Sequence, residues 1–125
     1  MKAARLHAYG DVGQIHYDEI ARPKAGAGEV LVKVEASSLN PVELYLRQGY
    51  LAKMRPMEFP LIMGLDLSGR VDEVGTGVSG YKPGDHVIGR LPINGNGSTA
   101  DFIIATPGQL AHLADNVSFA DDSTL

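Results

Sequence analysis

Three glycines in the middle of the chain have the spacing of a dinucleotide-binding loop. Gly75, Gly77 and Gly80 form a Gly-x-Gly-x-x-Gly pattern, whose backbone amides could approach a pyrophosphate group. That chemistry needs a strand before the glycines and a helix directly after them. A strand is predicted at Ser68–Val74, but the Pro-Gly pair at 83–84 favours a turn where the helix should begin. The glycines therefore predict a tight connection between two strands, with positive φ angles.

The chain has few residues that could bind a metal ion, and none that could act as a thiol. The chain has no cysteine, which excludes disulfides and thiolate metal ligands. Its four histidines are His7, His16, His86 and His112, and no two of them have the short spacing typical of metal ligands. Each histidine is interpreted as a surface or core residue, and no metal site is predicted.

The composition is that of one soluble globular domain. The 125 residues have a mass of 13.3 kDa, with 44% hydrophobic and 21% charged residues, which allows a single hydrophobic core. A net charge of −4 gives no basic surface for nucleic acid or for an anionic membrane. No apolar run could span a membrane, and the first residues lack the apolar core of a signal peptide. We therefore expect no nucleic-acid or membrane partner and a cytoplasmic location.

Short segments of alternating or β-branched residues predict strands through most of the chain. The clearest strand is Glu29–Ala36, in which Val30, Val32 and Val34 should face the core. The other predicted strands are bounded by turn residues: Lys2–His7, Ile15–Ile20, Ser68–Val74, His86–Gly89, Ala100–Thr106 and Gln109–His112. Short strands at this close spacing predict a mainly β fold, either a barrel or a sandwich.

One segment has a helical pattern instead. Asn40 can cap a helix, Pro41 suits its first position, and Glu43 can complete a capping box. Gly49 should end this helix, and residues 50–59 are predicted to form a loop beside a pocket. A second short helix is predicted to begin near Ser118.

The stretch from Pro60 to Val87 resembles the N-terminal, GroES-like domain of the medium-chain dehydrogenase/reductases. That family's pattern there is Pro-x-x-x-Gly-x-Asp/Glu-x-x-Gly-x-Val, then Val-Gly-x-Gly-Val, then Lys-x-Gly-Asp-x-Val. Every landmark is present, at positions 60–71, 74–78 and 82–87. Further segments resemble the zinc-free, quinone-oxidoreductase-like branch of the family: Ala36–Glu43, Arg47–Gly49, Gly97–Phe102 and Leu113–Phe119. The resemblance implies a mainly β, GroES-like, partly open barrel with one or two short helices.

The departures from the family's zinc enzymes identify the branch. Zinc alcohol dehydrogenases have a catalytic cysteine where this chain has Asn40, and a histidine ligand where it has Leu65. They also need four cysteines for a structural zinc. Leucine cannot bind a metal and an asparagine amide is a poor zinc ligand. We therefore expect no zinc and a zinc-independent reaction.

The resemblance also implies which residues form the site. Asn40 and Tyr45 should face the nicotinamide and the substrate, where an amide and a phenol can donate hydrogen bonds to a carbonyl oxygen. Asp66 aligns with the acid beside the missing zinc, and Tyr50 is a further candidate for substrate contact. Each has a structural alternative: Asn40 as a helix cap, Tyr45 as a core residue, Asp66 as a buried hydrogen-bonding partner, and Tyr50 as a surface aromatic.

Two functions remain open at this stage. In the first, residues 1–125 are the substrate-side domain of an oxidoreductase that uses NADP(H) to reduce a quinone or unsaturated carbonyl. The family's nucleotide-binding Rossmann domain would then follow residue 125, and the full protein could form a homodimer. In the second, the same fold is a stand-alone binding or assembly module without enzymatic activity. The coding sequence after residue 125 distinguishes the two.

Overall fold

The computed structural model of the chain describes residues 1–10, 12–38, 47, 59–92 and 97–113. Within these residues the chain forms eight β-strands, in the order β1 (Lys2–Leu6), β2 (Ile15–Glu19), β3 (Val30–Ser38), β4 (Leu61–Ile62), β5 (Asp66–Val74), β6 (His86–Arg90), β7 (Phe102–Ala105) and β8 (Leu110–His112). Two single 3-10 turns, Val12–Gln14 and Pro107–Gln109, lead directly into β2 and β8. The predicted strands are all confirmed, with ends displaced by one or two residues.

The smaller sheet has three antiparallel strands in the order β2-β1-β4. Its third strand, β4, was not predicted, because two residues are too few to show a period in the sequence. Leu61 in β4 pairs with Leu6 in β1, and both side chains are buried. This apolar pair attaches the first hairpin to the middle of the chain.

The larger sheet has five antiparallel strands in the order β7-β3-β5-β6-β8. The two longest strands, β3 and β5, have nine residues each and lie at its centre. β3 also pairs with β7 over residues 30–33, and β5 pairs with β6 over residues 66–70, so these stretches have strands on both sides. The candidate site begins at one end of this central pair.

The glycine-rich segment joins β5 to β6 without a helix, as the sequence predicted. Gly77 and Gly80 have φ angles of 87° and 85°, which L-residues with a Cβ rarely adopt. Gly75 is needed for another reason, since a Cβ there would press against the backbone of Gly26 and lie 2.9 Å from the Glu29 oxygen. These glycines shape a turn and a close backbone contact, and they do not form a pyrophosphate loop.

The hydrophobic core lies on one face of the larger sheet. Its buried members come from β3, β5, β6 and β7 and the residues near them: Val30, Val32, Leu67, Val71, Val87, Leu91, Ile103 and Ala105. Leu31, on the other face of β3, is also fully buried. Side chains alternate across a strand, so the face of β3 opposite Val30 and Val32 is covered as well at this point.

The mainly β fold is confirmed, and the described residues form two sheets without a closed barrel. The helix predicted from Asn40 to Gly49 lies outside the described residues except for Arg47, which is helical. The loop at 50–58 and the helix near Ser118 also lie outside them. In the described part of the chain, no helix has the length and apolar character required to span a membrane.

Candidate functional site

Asp66 is the first residue of β5 and lies where three strands meet. Its backbone pairs with Ser38 at the end of β3 and with Arg90 at the end of β6. The Asp66 side chain is 14% exposed, and its Oδ1 lies 3.4 Å from Nη1 of Arg90, whose side chain is 69% exposed. The carboxylate is therefore largely sheltered, and the cation beside it is exposed to solvent.

Ser98 and its neighbours contact the backbone near Asp66 from the other side. The Ser98 hydroxyl donates a hydrogen bond of 2.9 Å to the Asp66 carbonyl oxygen, and Ser98 is almost completely buried. The Ser98 amide donates to the Gly64 carbonyl at 3.3 Å. Gly64 has a φ of 108°, and a Cβ there would lie only 2.8 Å from the Ser98 nitrogen. Sequence reasoning missed Ser98, because its partner is 32 positions away and nothing local marks the contact.

The other three predicted site residues, Asn40, Tyr45 and Tyr50, lie outside the described residues. The structure does describe what flanks them. Strand β3 ends at Ser38, two positions before Asn40, and Ser38 is the backbone partner of Asp66. Asp66 therefore lies beside the point where the chain enters the segment that carries the other predicted residues.

Arg47 is the one described residue within that segment, and it is tied to the turn after β1. The Gly10 amide donates a 2.7 Å hydrogen bond to the Arg47 carbonyl, and Nη1 of Arg47 lies 3.5 Å from the Gly10 carbonyl. Next to Gly10, the ring of Tyr9 meets Phe59 edge-on, with centroids 4.8 Å apart. The first hairpin turn thus contacts the segment at Arg47 and just beyond its end at Phe59.

Tyr9 carries a polar group with unusual surroundings. Its hydroxyl oxygen is buried and has no hydrogen-bond partner among the described residues. A buried, unpaired hydroxyl costs free energy relative to a paired one. No local pattern marks this burial, because the aromatic partner of Tyr9, Phe59, is 50 positions away in the sequence.

Leu65 occupies the position where zinc alcohol dehydrogenases have a histidine ligand. Its side chain is only 6% exposed, and its carbonyl accepts a 2.7 Å hydrogen bond from the Leu91 amide. A buried hydrocarbon next to Asp66 offers no lone pair to a metal ion. The local chemistry at this position is therefore apolar.

A cavity of about 530 Å³ lies along the free edge of β7. Its walls include residues of β7 and the start of the chain, among them Met1, Ile20, Phe102 and Ile104. Asp66 is not part of its lining. The cavity is therefore separate from the candidate site.

The first hairpin brings together side chains that the sequence keeps apart. In the β1–β2 pairing Arg5 lies opposite His16, and His7 and Asp18 are the next residues on the same face. The rings of His7 and His16 are 4.4 Å apart, and Nε2 of His7 is 2.7 Å from Oδ2 of Asp18. Considering each histidine singly missed this cluster, which depends on the register of the hairpin.

The family follows from the whole pattern of the chain. The model of the alcohol dehydrogenase GroES-like domain matches residues 26–115. The chain belongs to this family. The match includes the glycine-rich connection, Asp66 and Leu65, so the GroES-like resemblance drawn from the motifs is confirmed.

Known proteins similar to this domain include quinone oxidoreductases. The chloroplastic quinone-oxidoreductase QR1 of Triphysaria versicolor is 35% identical over 126 residues, covering 100% of this chain and 38% of that protein. The quinone oxidoreductase structure from Coxiella burnetii superposes with a TM-score of 0.91 at 28% identity, covering 100% of this chain and 40% of that one. A mycobacterial protein solved in complex with NADPH superposes with a TM-score of 0.86 at 29% identity, covering 100% and 37%. The domain therefore belongs to the quinone-oxidoreductase-like branch.

The chain spans about two fifths of the length of these relatives. It therefore corresponds to the part of those proteins that carries the GroES-like fold.

Proposed function

We propose that this domain is the substrate-side part of an NAD(P)H-dependent oxidoreductase that reduces a quinone, an enone or a related carbonyl. The observation that carries the proposal is the similarity to quinone oxidoreductases over the full length of the chain, at 35% identity. The family match and the TM-score of 0.91 to the Coxiella burnetii enzyme support it. The reaction class is hydride transfer from a nicotinamide to an unsaturated acceptor.

We propose that the reaction is zinc-independent. Leu65 is buried at the position of a zinc ligand, and the chain has no cysteine for the other positions. Without a metal, the acceptor oxygen must be polarised by hydrogen-bond donors as negative charge develops on it. The amide of Asn40 and the phenol of Tyr45 are the donors that the family resemblance assigns to this role.

Asp66 and Tyr50 are proposed to contact the substrate. The carboxylate of Asp66, which is only 14% exposed and has Arg90 beside it, could orient a polar group of the substrate. The hydrogen bond from Ser98 holds the Asp66 backbone in place. Asp66 and Ser98 would thus fix one side of the pocket, and the segment that begins after Ser38 would supply the other.

The proposed cofactor is NADP(H), which supplies the hydride when bound. The names of relatives support a nicotinamide cofactor, since one is an NAD(P)H oxidoreductase of Danio rerio mitochondria and another was solved with NADPH. The glycine triplet at 75–80 does not fit a pyrophosphate, because no helix follows it. Asn40 would face the nicotinamide, and a Rossmann domain after residue 125 would hold the rest of the cofactor. We propose a cytoplasmic location, and homodimer formation in a protein with both domains.

The test is steady-state kinetics on a polypeptide that includes the nucleotide-binding part, with NADPH oxidation followed at varied quinone concentration. Asn40→Ala and Tyr45→Phe should each lower kcat by about 100-fold, because each removes a donor to the developing oxyanion. The KM for NADPH should change much less. Asp66→Asn should raise the KM for the quinone with a smaller effect on kcat.

Tyr17→Phe is the matched control for Tyr45→Phe, since Tyr17 is 67% exposed on β2, in the other sheet. Its kinetics should equal those of the unaltered protein. If kcat is unchanged in both Asn40→Ala and Tyr45→Phe, these residues are not part of the site. If no quinone, enone or aldehyde is reduced at all, the non-enzymatic module becomes the better account of the domain.

A further inference from the structure

The hairpin of β1 and β2 carries two histidines and one aspartate on a single face. One ligand atom each from His7, His16 and Asp18 can be chosen so that all three lie within 4.8 Å of one another. Both histidines are exposed, and the Asp18 side chain is 23% exposed. The cluster is therefore open to ions from solvent, and its backbone is fixed by the five residue pairs of the β1–β2 ladder.

The geometry of Asp18 leaves one carboxylate oxygen available to a cation. The contacts from His7 and Arg5 are both made to Oδ2 of Asp18, at 2.7 Å from His7 and 2.8 Å from Arg5. Neither contact uses Oδ1, so a cation could bind that oxygen while Arg5 keeps its own hydrogen bond.

We propose that His7, His16 and Asp18 form a surface binding site for a late first-row divalent cation, with zinc as the representative ion. Two imidazoles and one carboxylate are a ligand set that such ions favour. The cation would leave at least one coordination position to water. This site is on the smaller sheet, whereas Asp66 and Leu65 lie at the larger one, so it is unrelated to hydride transfer.

The rearrangement needed is small. Ligand atoms on a tetrahedral zinc ion lie about 3.4 Å apart, which follows from bond lengths of about 2.1 Å. The present spread of up to 4.8 Å closes with side-chain rotations of two exposed imidazoles. The direct bond between His7 and Asp18 would be replaced by two bonds to the metal. Because β2 is an edge strand, the ion would fasten it to β1 through side chains as well as backbone.

The experiment is calorimetric titration of zinc chloride into tag-free, chelator-treated protein near neutral pH, since a polyhistidine tag would bind the same ion. We expect one saturable zinc site per chain. His16→Gln and Asp18→Asn should each weaken binding by about tenfold or more, because each removes one of three ligands. His16→Gln replaces an exposed ring, and circular dichroism confirms that each variant is folded.

Two control variants separate this site from general surface binding. Glu19→Gln removes a 70% exposed carboxylate from the residue after Asp18, and His112→Gln removes a 52% exposed histidine from β8. Both should bind zinc within about twofold of the unaltered protein. The proposal is overturned if zinc binds no tighter than about 1 mM. It is equally overturned if His16→Gln and Asp18→Asn bind zinc as well as the two controls.

Discussion

The larger sheet and the first hairpin are held together by different forces. In the larger sheet, Val30, Val32 and Leu67 are at most 1% exposed and pack into one hydrophobic cluster. In β2, four of five residues are exposed, and the contacts with β1 are polar: Arg5 and His7 with Asp18, and the terminal amine with Glu19. One region depends on burial and the other on charge.

This difference predicts where substitutions reduce the stability of the fold and where they do not. Burying one large apolar side chain contributes about 1.5–3 kcal/mol, whereas exposed ion pairs contribute much less. Substitutions in β3 and β5 should therefore cost stability, and substitutions in the hairpin should change local chemistry instead. The hairpin is the part of this domain where new chemistry could evolve at little cost to folding.

The largest loss of stability is expected from Gly69→Ala at the centre of the larger sheet. A Cβ on Gly69 would collide with the Lys33 carbonyl and lie 3.1 Å from Val32 Cγ1. The Lys33 backbone cannot easily move aside, because it is part of the β3–β5 ladder. We expect a loss of about 4 kcal/mol, or no folded protein. Urea unfolding measures this loss in the free energy of unfolding. Gly108→Ala is the control, because no atom lies within 4 Å of its Cβ and its φ is not positive, so a change within about 0.5 kcal/mol is expected. Equal losses at Gly69 and Gly108 would contradict the close contact.

A smaller loss is expected from Leu67→Ala, which removes a fully buried side chain from the core cluster. The cavity and the lost burial should together reduce the free energy of unfolding by about 3 kcal/mol. Tyr17→Thr on β2 replaces one residue of high strand propensity by another at a 67% exposed position, and the free energy of unfolding should change by no more than about 0.5 kcal/mol. Thermal and urea unfolding of both variants test the contrast. Equal losses of stability in Leu67→Ala and Tyr17→Thr would contradict this contrast.

The smallest effect is expected at the hairpin, in Asp18→Asn, and it should depend on pH. The folded-state pKa of Asp18 is lowered by its hydrogen bonds with His7 and Arg5, so its contribution to stability is complete above the unfolded pKa of about 3.9. That contribution is lost as the pH falls through the folded pKa. The stability difference between the unaltered protein and Asp18→Asn should therefore be constant near neutral pH and shrink below about pH 4. Urea unfolding across this range, with EDTA present and with Arg5, His7 and His16 unchanged, measures the difference. A stability difference that grows on acidification would show that the ionised Asp18 carboxylate does not stabilise the hairpin.

Most strands could be predicted because their signals are local. Alternation in Glu29–Ala36 and the turn residues around the other strands predicted seven of the eight strands in the described residues. The eighth, β4, has two residues, and its partners Arg5 and Leu6 are far away in the sequence. Burial of Leu31 could not be predicted either, since an alternating strand shows which residues share a face but not whether the second face is covered.

The site could be predicted only in part, because its chemistry is assembled by distant contacts. Motif positions identified Asp66 and Leu65, and the resemblance assigned Asn40, Tyr45 and Tyr50, which lie outside the described residues. The bond from Ser98 to Asp66 joins residues 32 positions apart, and nothing local marks it. The cluster of His7, His16 and Asp18 depends on the register of the hairpin, which a strand prediction alone does not fix.

The register of the central pair has a consequence for conformational uniqueness. At its ends, the β3–β5 ladder pairs Val30 with Val74 and Ser38 with Asp66. From Val32 to Val34 the pairing is shifted by one residue. Asp72 and Glu35 therefore have no directly opposite residue in the partner strand. The two offsets cancel, so a straight ladder of the same length would also connect the two ends. In that ladder Asp72 would face the fully buried Val32, which places a carboxylate towards the core. The charge at position 72 therefore disfavours the competing alignment, and an apolar residue there would let two alignments of one sequence coexist.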